Sequence, residues 1–394
     1  MSNVNLNHLA KYHNDFLRDP LNVIGQNHYS LSVKPELLDF KITGPFWDIL
    51  RKLKIRLVVS REYEHLVLLL GASAQGPEIA YTPLPHPSGI AVDRKRRRVF
   101  IAASRNPNQV YMFRPVEKFL NRRELKPALH IKNILFPVKT HFYPGSLYMH
   151  DLVFINDRLY ANAVGHNAVV RLLPDGGYEY AWWPSCVEVK GRPRTQCNFL
   201  QLNSISGGKS LTDCFFTAST DKISAVRIGD PAFQVDGKGV VFSGRTRKVI
   251  CRGLTRPHSA RRYQGKVWLD NSGYGEFGFI EDGKFCPIVK LPGWTRGLSF
   301  YKDIAFVGVS RILPRFAGYA PGLDTAKCLC GIFAVDLKSG GVLAEIVWPY
   351  GNQIFALEWL DADFTSGLVG RFRPQNKGMN LSEMFFSYNG EDES

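Results

Sequence analysis

A chain of 394 residues that is 45% hydrophobic and 12% aromatic can bury a large core, as one repeat fold or as two or three ordinary domains. That excludes disorder over most of its length. The formal charge of +15 raises nucleic acid as a partner, but the excess is scattered except in "DRKRRRVF" at Asp93. No helix-turn-helix, zinc-finger or aromatic-basic RNA-binding pattern accompanies that run, so a solvated turn between strands and attraction to an anionic small ligand or surface are the better readings.

The first residues, "MSNVNLNHLAKYHNDFLRDPLNV", lack the basic start, apolar run and cleavage site of a signal peptide. The longest apolar run, "LVLLLGA" at Leu66, falls far short of the roughly 20 residues of a membrane helix. The expectation is a soluble, cytoplasmic protein with no membrane span. Residues 1–54 read as a short cap, partly helical, because "NHLAKYHNDFL" and "PFWDILRKL" space their apolar residues as helices do, between Pro and Gly breaks.

From residue 55 to about 365 the texture is all-β. Short segments rich in Val, Ile, Phe, Tyr and Trp alternate with Gly, Asp, Asn and Lys turns. Six segments share one form, an inner strand, a tight polar turn and a second strand ending in a small residue: "SGIAVDRKRRRVFIAAS", "HDLVFINDRLYANAV", "NSISGGKSLTDCFFTAS", "HSARRYQGKVWLDNS", "RGLSFYKDIAFVGVS" and "FALEWLDADFTSG". Their spacing of roughly 40 to 60 residues suits four-stranded blades with loop insertions. The expected fold is a six-bladed β-propeller, with the strand at "IRLVVS" closing the ring against the C-terminal blade and 366–394 as a tail. Seven cysteines are neither dense nor even in number, so reduced thiols are expected, with Cys328 and Cys330 of "CLC" buried as apolar groups.

The blocks "IRLVVSREYEHLVLLL", "YMHDLVFINDRLY", "RPHSARRYQGKVWLDNSGYGEFGFIEDG", "LPGWTRGLSF" and "AFVGVSRI" resemble a bacterial family of conserved hypothetical proteins described only as a domain of unknown function. The likeness runs from about residue 55 to 360. More distantly, the layout is similar to six-bladed gluconolactonase and strictosidine-synthase-like propellers, and to peptidyl-amidoglycolate lyase, which holds zinc with histidines on inner strands. Where the family block would read approximately Cys-His-Leu-Asn-Gly-Leu, this chain has "CNFLQLNSIS", so Gln201 stands at the histidine and Asn203 keeps its place. His86 takes the matching place in the first blade.

Strand side chains alternate faces, so each segment's leading residue and the residue two before it share a side. Around an axis this gives one ring of Ser88, His150, Asn203, His258, Arg296 and Phe355, and a second, nearer the mouth, of His86, Tyr148, Gln201, Arg256, Trp294 and Gln353. Two mostly polar rings converging on one axis describe a ligand pocket.

His86, His150 and His258 are candidate ligands of a divalent transition metal, zinc, iron, copper or manganese, with an open position for water or a carbonyl. The same histidines could instead line a watery channel or act as acid and base without metal. Arg296 either clamps a carboxylate or phosphate or pairs with Asp151 or Glu276. Tyr148 is a proton donor or lines the mouth. Ser88, Asn203, Gln201, Arg256, Trp294 and Gln353 are candidate substrate contacts, and Glu276 a support for a histidine. Gly273 and Gly275 precede a strand rather than a helix, so they form a turn and no nucleotide cofactor is expected.

The favoured function is a metal-assisted lyase or hydrolase acting on a small polar or anionic molecule or a peptide end, with Tyr148, Arg296 and His258 as catalytic groups. The alternative is a non-catalytic module that binds a saccharide or peptide, with Trp294 and Trp182 as stacking platforms.

Overall fold

The structure is a computed structural model that describes residues 30, 33–105, 108–116, 133–224, 226, 228, 230, 232–369 and 371–372. The helix expected in "NHLAKYHNDFL" lies outside these residues. Strands dominate, and six sheets of four or five strands make a six-bladed β-propeller.

Five blades are continuous in sequence, beginning at the axis with Pro87–Asp93, Met149–Ile155, Leu202–Ile205, Pro257–Tyr263 and Trp294–Tyr301. The sixth is composite. Its inner strand, Ala356–Asp361, comes from the C-terminal part and pairs antiparallel with Ile55–Arg61, Ser60 opposite Ala356 and Ile55 opposite Asp361. Leu66–Ser73 and Gly76–Pro83 complete it. Closure by the strand at "IRLVVS" is therefore as the sequence predicts, and it ties both ends of the repeat together while leaving no open inner edge.

The blades adhere through apolar layers, one between each neighbouring pair. Phe113, Leu135, Val58 and Phe355 lie between the sixth and first blades, and Trp182, Phe199, Phe216 and Phe242 between the second and third. Close approach at the axis demands small residues: a Cβ on Gly89 would stand 2.6 Å from the Cα of Asp151 in the next blade. The helix Phe46–Leu53 places Phe46 and Leu50, both fully buried, on the layer between the fifth and sixth blades. Lys41–Thr43 pairs with the outer strand Val342–Val347 of the fifth blade. Among residues assigned to the tail, Gly367–Leu368 and Arg371–Phe372 add outer strands to the first and sixth blades.

At the axis a closed circuit of side chains joins each blade to the next. Ser60 Oγ donates to Ser88 O at 2.6 Å, Ser88 Oγ to Met149 O at 2.6 Å, Asn162 Nδ2 to Leu202 O at 2.7 Å, Asn203 Nδ2 to Pro257 O at 3.0 Å, Ser272 Oγ to Thr295 O at 2.6 Å and Ser310 Oγ to Ile354 O at 3.1 Å. All six donor residues are buried.

The basic run is not simply solvated. Arg96 and Arg98 bind Asp93, Arg94 lies 3.9 Å over Trp359 and donates to its carbonyl, and Arg97 donates to the carbonyls of Asp363 and Phe364. It staples the first blade to the sixth on the face away from the strand starts. All seven cysteines are free, Cys328 and Cys330 among the buried ones. Among the described residues no helix is long and apolar enough to cross a membrane.

The circuit makes a stability prediction. Asn162 also accepts from the backbone N–H of His150 at 3.1 Å and of Asp151 at 2.5 Å, so Asn162→Ala leaves three buried backbone groups without their partner. Urea unfolding of this variant is expected to show a loss of about 2–4 kcal/mol, against less than about 0.5 kcal/mol for the surface change Ser224→Ala.

Candidate functional site

The inner strands begin at one end of the axis, and the turns leading into them surround a cavity of about 480 Å³. Tyr148, His150, Gln201, Arg256, His258, Trp294, Arg296 and Gln353, all expected from the sequence, line it. Tyr148, Gln201 and Arg256, like His86, sit at positive φ of 45° to 52°. They belong to left-handed turns before the strands, so strand alternation is not what aims them.

Three expected residues do other work. Ser88 and Asn203 spend their polar atoms on the interblade circuit, with Thr217 Oγ1 donating to Asn203 Oδ1 at 2.6 Å. His86 does not line the cavity; its ring packs 4.3 Å from that of His65, its Nδ1 is 4.0 Å from Glu62, and burial, then His65 and Arg105, push its pKa down to about 3. Trp182 is no platform either. It is buried, stacked 3.8 Å from Phe216, with Nε1 donating to Gly244 O. Glu276 accepts from Asn271 rather than from a histidine.

The two central histidines are held in opposite tautomers. His258 Nδ1 is 2.9 Å from Arg256 O and 3.1 Å from Ser272 Oγ. Because a carbonyl only accepts and Ser272 already donates to Thr295 O, the proton is on Nδ1 and Nε2 keeps its lone pair. His150 Nδ1 is 3.4 Å from Arg296 Nη2. A guanidinium only donates, so this Nδ1 is the acceptor and the His150 proton is on Nε2. Burial, then Arg296, pushes the His150 pKa down to about 3 and that of His258 well below 6.5. Both rings are uncharged at neutral pH.

Arg296 lies 3.3 Å over the Phe355 ring, and Arg256, only 1% exposed, lies 3.9 Å over Tyr319 while donating to Gln201 and Ser219. Burial lowers both guanidinium pKa values to about 10. Arg296 does not pair with the two carboxylates considered for it: Asp151 is taken by Arg261 at 2.8 Å and by the backbone N–H of Ile205 at 3.0 Å. The side-chain oxygen of Gln353 is buried and has no hydrogen-bond partner.

Several cavity residues were not legible from the blade repeat. Glu62 and Tyr63 come from the turn after Ile55–Arg61, Arg105 follows Arg98–Ala103, and Arg311, Leu313, Phe316 and Tyr319 come from the long insertion between Ile304–Ser310 and Gly331–Asp336. Glu62 is the single carboxylate on the wall among the described residues. It accepts from Ser104 and lies 3.5 Å from Arg105. The usable signal was the length of the blade-five insertion, with its aromatic residues.

A three-histidine metal centre does not fit this donor set. Among the described residues no group of three or more His, Cys, Asp and Glu side chains is placed to hold an ion. Metal binding at His150 Nε2 would force its proton onto Nδ1, against the donors of Arg296. Four arginines against one glutamate on the wall also repel a cation and attract an anion.

One family model, described as "Domain of unknown function (DUF4915)", matches residues 44–366. No curated protein matches the chain. Among solved structures, a nidogen/laminin complex is similar with a TM-score of 0.50 at 8% identity, covering 78% of this chain and 99% of that one. A gluconolactonase from Xanthomonas campestris gives 0.44 at 12% identity, covering 75% and 86%. Virginiamycin B lyase from Staphylococcus aureus gives 0.39 at 10%, covering 78% and 99%. Likeness at such identity concerns the fold alone.

The neutral histidines set a pH dependence. Their pKa values are depressed in the folded state, so below about 6.5 the unfolded chain binds protons that the native chain does not, and stability falls as pH drops from there toward about 3. Urea midpoints between pH 8 and pH 4 are expected to fall. His86→Gln, at a residue that does not itself line the cavity, is expected to flatten that fall by up to about 1.4 kcal/mol per pH unit.

Proposed function

The chain belongs to the DUF4915 family, and from its axial cavity we propose an enzyme of lyase type that acts by proton transfer on a small anionic molecule. The observation that carries this reading is the pair of uncharged histidines with opposite tautomers, both facing a cavity lined by arginines. His258 Nε2 takes a proton from the carbon next to the substrate carboxylate. His150 Nε2–H donates a hydrogen bond to the leaving group as it departs, and the proton taken up by His258 is then passed to it. The C–H and C–X bonds break, a C=C bond forms, and X departs as XH.

Arg296 holds the carboxylate and stabilises the negative charge that grows on it as the C–H bond opens, within a site where desolvation strengthens the interaction. Gln353 and Tyr148 orient the substrate from the wall. Trp294, whose ring is 5.7 Å from that of His258, limits the plane in which the substrate approaches. No step calls for a metal, in contrast to the metal-assisted reaction expected from the sequence.

The test uses the whole protein in deuterium oxide with a set of small carboxylates, following loss of the C–H signal next to the carboxylate by NMR. The wild type is expected to exchange at least one of them, His258→Gln to lower that rate by about 100-fold or more, and chelator treatment to leave it unchanged. The acid limb of the rate is expected well below pH 6.5, as both histidine pKa values are lowered. Loss of exchange on chelation would overturn the metal-free mechanism. Tight binding with no exchange would establish a binding module instead.

A further inference from the structure

The charge on the cavity wall goes further than one carboxylate site. Four arginines and one glutamate line it, a surplus of three positive charges. Two of the four are held by a carboxylate or a backbone carbonyl. Arg105 lies 3.5 Å from Glu62, and Arg311 donates through Nη2 to Pro349 O at 2.6 Å at the rim. Arg256 and Arg296 are different. Among the described residues neither has a carboxylate within ion-pairing distance; Glu62 acts on Arg296 from further off, Arg256 is buried and Arg296 is half-buried. Arg256 Nε and Nη2 are buried without a hydrogen-bond partner. An unpaired buried charge is strongly unfavourable, so such a pair marks the places where a ligand supplies the counter-charge.

Both guanidiniums line the same cavity as His258. His258 is lowered in pKa by Arg296 and, more weakly, by Arg256, and its own Nδ1 proton is held by the Arg256 carbonyl. Arg256 stands in the turn entering the fourth blade, and Arg296 on the inner strand of the fifth. Resting on the reading of the cavity as a proton-transfer site, we propose that its substrate is a dianion, a dicarboxylate or a carboxylate with a phosphoryl group, that spans His258 with one anionic end on Arg296 and the other on Arg256. The insertion residue Tyr319 stacks on the Arg256 guanidinium and so closes that end of the cavity. A monoanion satisfies one guanidinium and leaves the other bare, which makes the second subsite the source of specificity.

The experiment is calorimetric titration of the full chain with butyrate, succinate, glutarate and 3-phosphonopropionate. At least one dianion is expected to bind about tenfold or more tighter than butyrate. Arg256→Gln is expected to reduce that dianion to the affinity of butyrate. Because Arg256 also anchors Gln201 and Ser219, Gln201→Glu is the companion variant: it pairs with Arg256 from within and is expected to abolish the dianion preference in a folded protein. Equal binding of butyrate and every dianion by the wild type, or a preference that survives Gln201→Glu, overturns the proposal. A dianion preference without deuterium exchange leaves the proposal standing and overturns the catalytic reading; exchange without that preference does the reverse.

Discussion

The circuit of six side-chain-to-backbone hydrogen bonds around the axis is the constraint from which the rest of the molecule follows. Apolar layers give the blades cohesion, but such contacts are non-directional and would tolerate sliding of one blade over its neighbour. The circuit removes that freedom. Each bond ends on the first residues of the next inner strand, or just before them, so it fixes where that strand starts and how its turn enters the mouth. A neutral hydrogen bond of this kind contributes only about 1 kcal/mol net. Its larger effect is that all six donors are buried, so any slip strands polar groups away from water.

That economy of polar atoms divides the axis. Below the mouth, Ser88, Asn162, Asn203 and Ser272 are used up in holding blades together, and Asp151 with Arg261 neutralise each other across three blades. At the mouth the turns and the strand starts carry side chains with capacity to spare: the lone pair of His258, the Nε2 proton of His150, the oxygen of Gln353 and the guanidiniums of Arg256 and Arg296, which have no carboxylate partner among the described residues. The same strand starts thus supply both the side chains that lock the ring and those that face the cavity. Ser272 belongs to both, since its hydroxyl donates to Thr295 O while standing 3.1 Å from His258 Nδ1. The circuit reaches directly into the tautomer of the base.

The repeat, the number of blades, the closing strand and the end of the axis that carries polar groups were legible because each depends on short-range pattern: alternation, turn residues and recurrence. Which leading residue faces the cavity was not. Ser88 and His150 occupy equivalent positions, yet the Ser88 hydroxyl donates to the Met149 carbonyl of the next blade, whereas the His150 ring lines the cavity beside Arg296. Left-handed turns at Tyr148, Gln201 and Arg256 place these side chains by a route that period-two reasoning does not describe. Glu62, Arg105 and Tyr319 lie in turns and insertions whose path depends on what the finished ring offers them to pack against. Contacts of that kind are absent from local sequence.

The guanidiniums and the histidines form one electrostatic system. Arg296 stands second to burial among the causes that hold His258 uncharged, so an empty cavity keeps the imidazole a weak base. An anion seated on Arg296 cancels that guanidinium's field and brings negative charge near the ring. Both effects raise the proton affinity of Nε2. On the proposed reading, His258 gains strength as a base when an anionic substrate is in place, and the positive surplus of the wall is what would couple binding to reactivity. A cation at the axis would have the opposite effect, lowering the basicity of the ring that the proposed proton transfer uses.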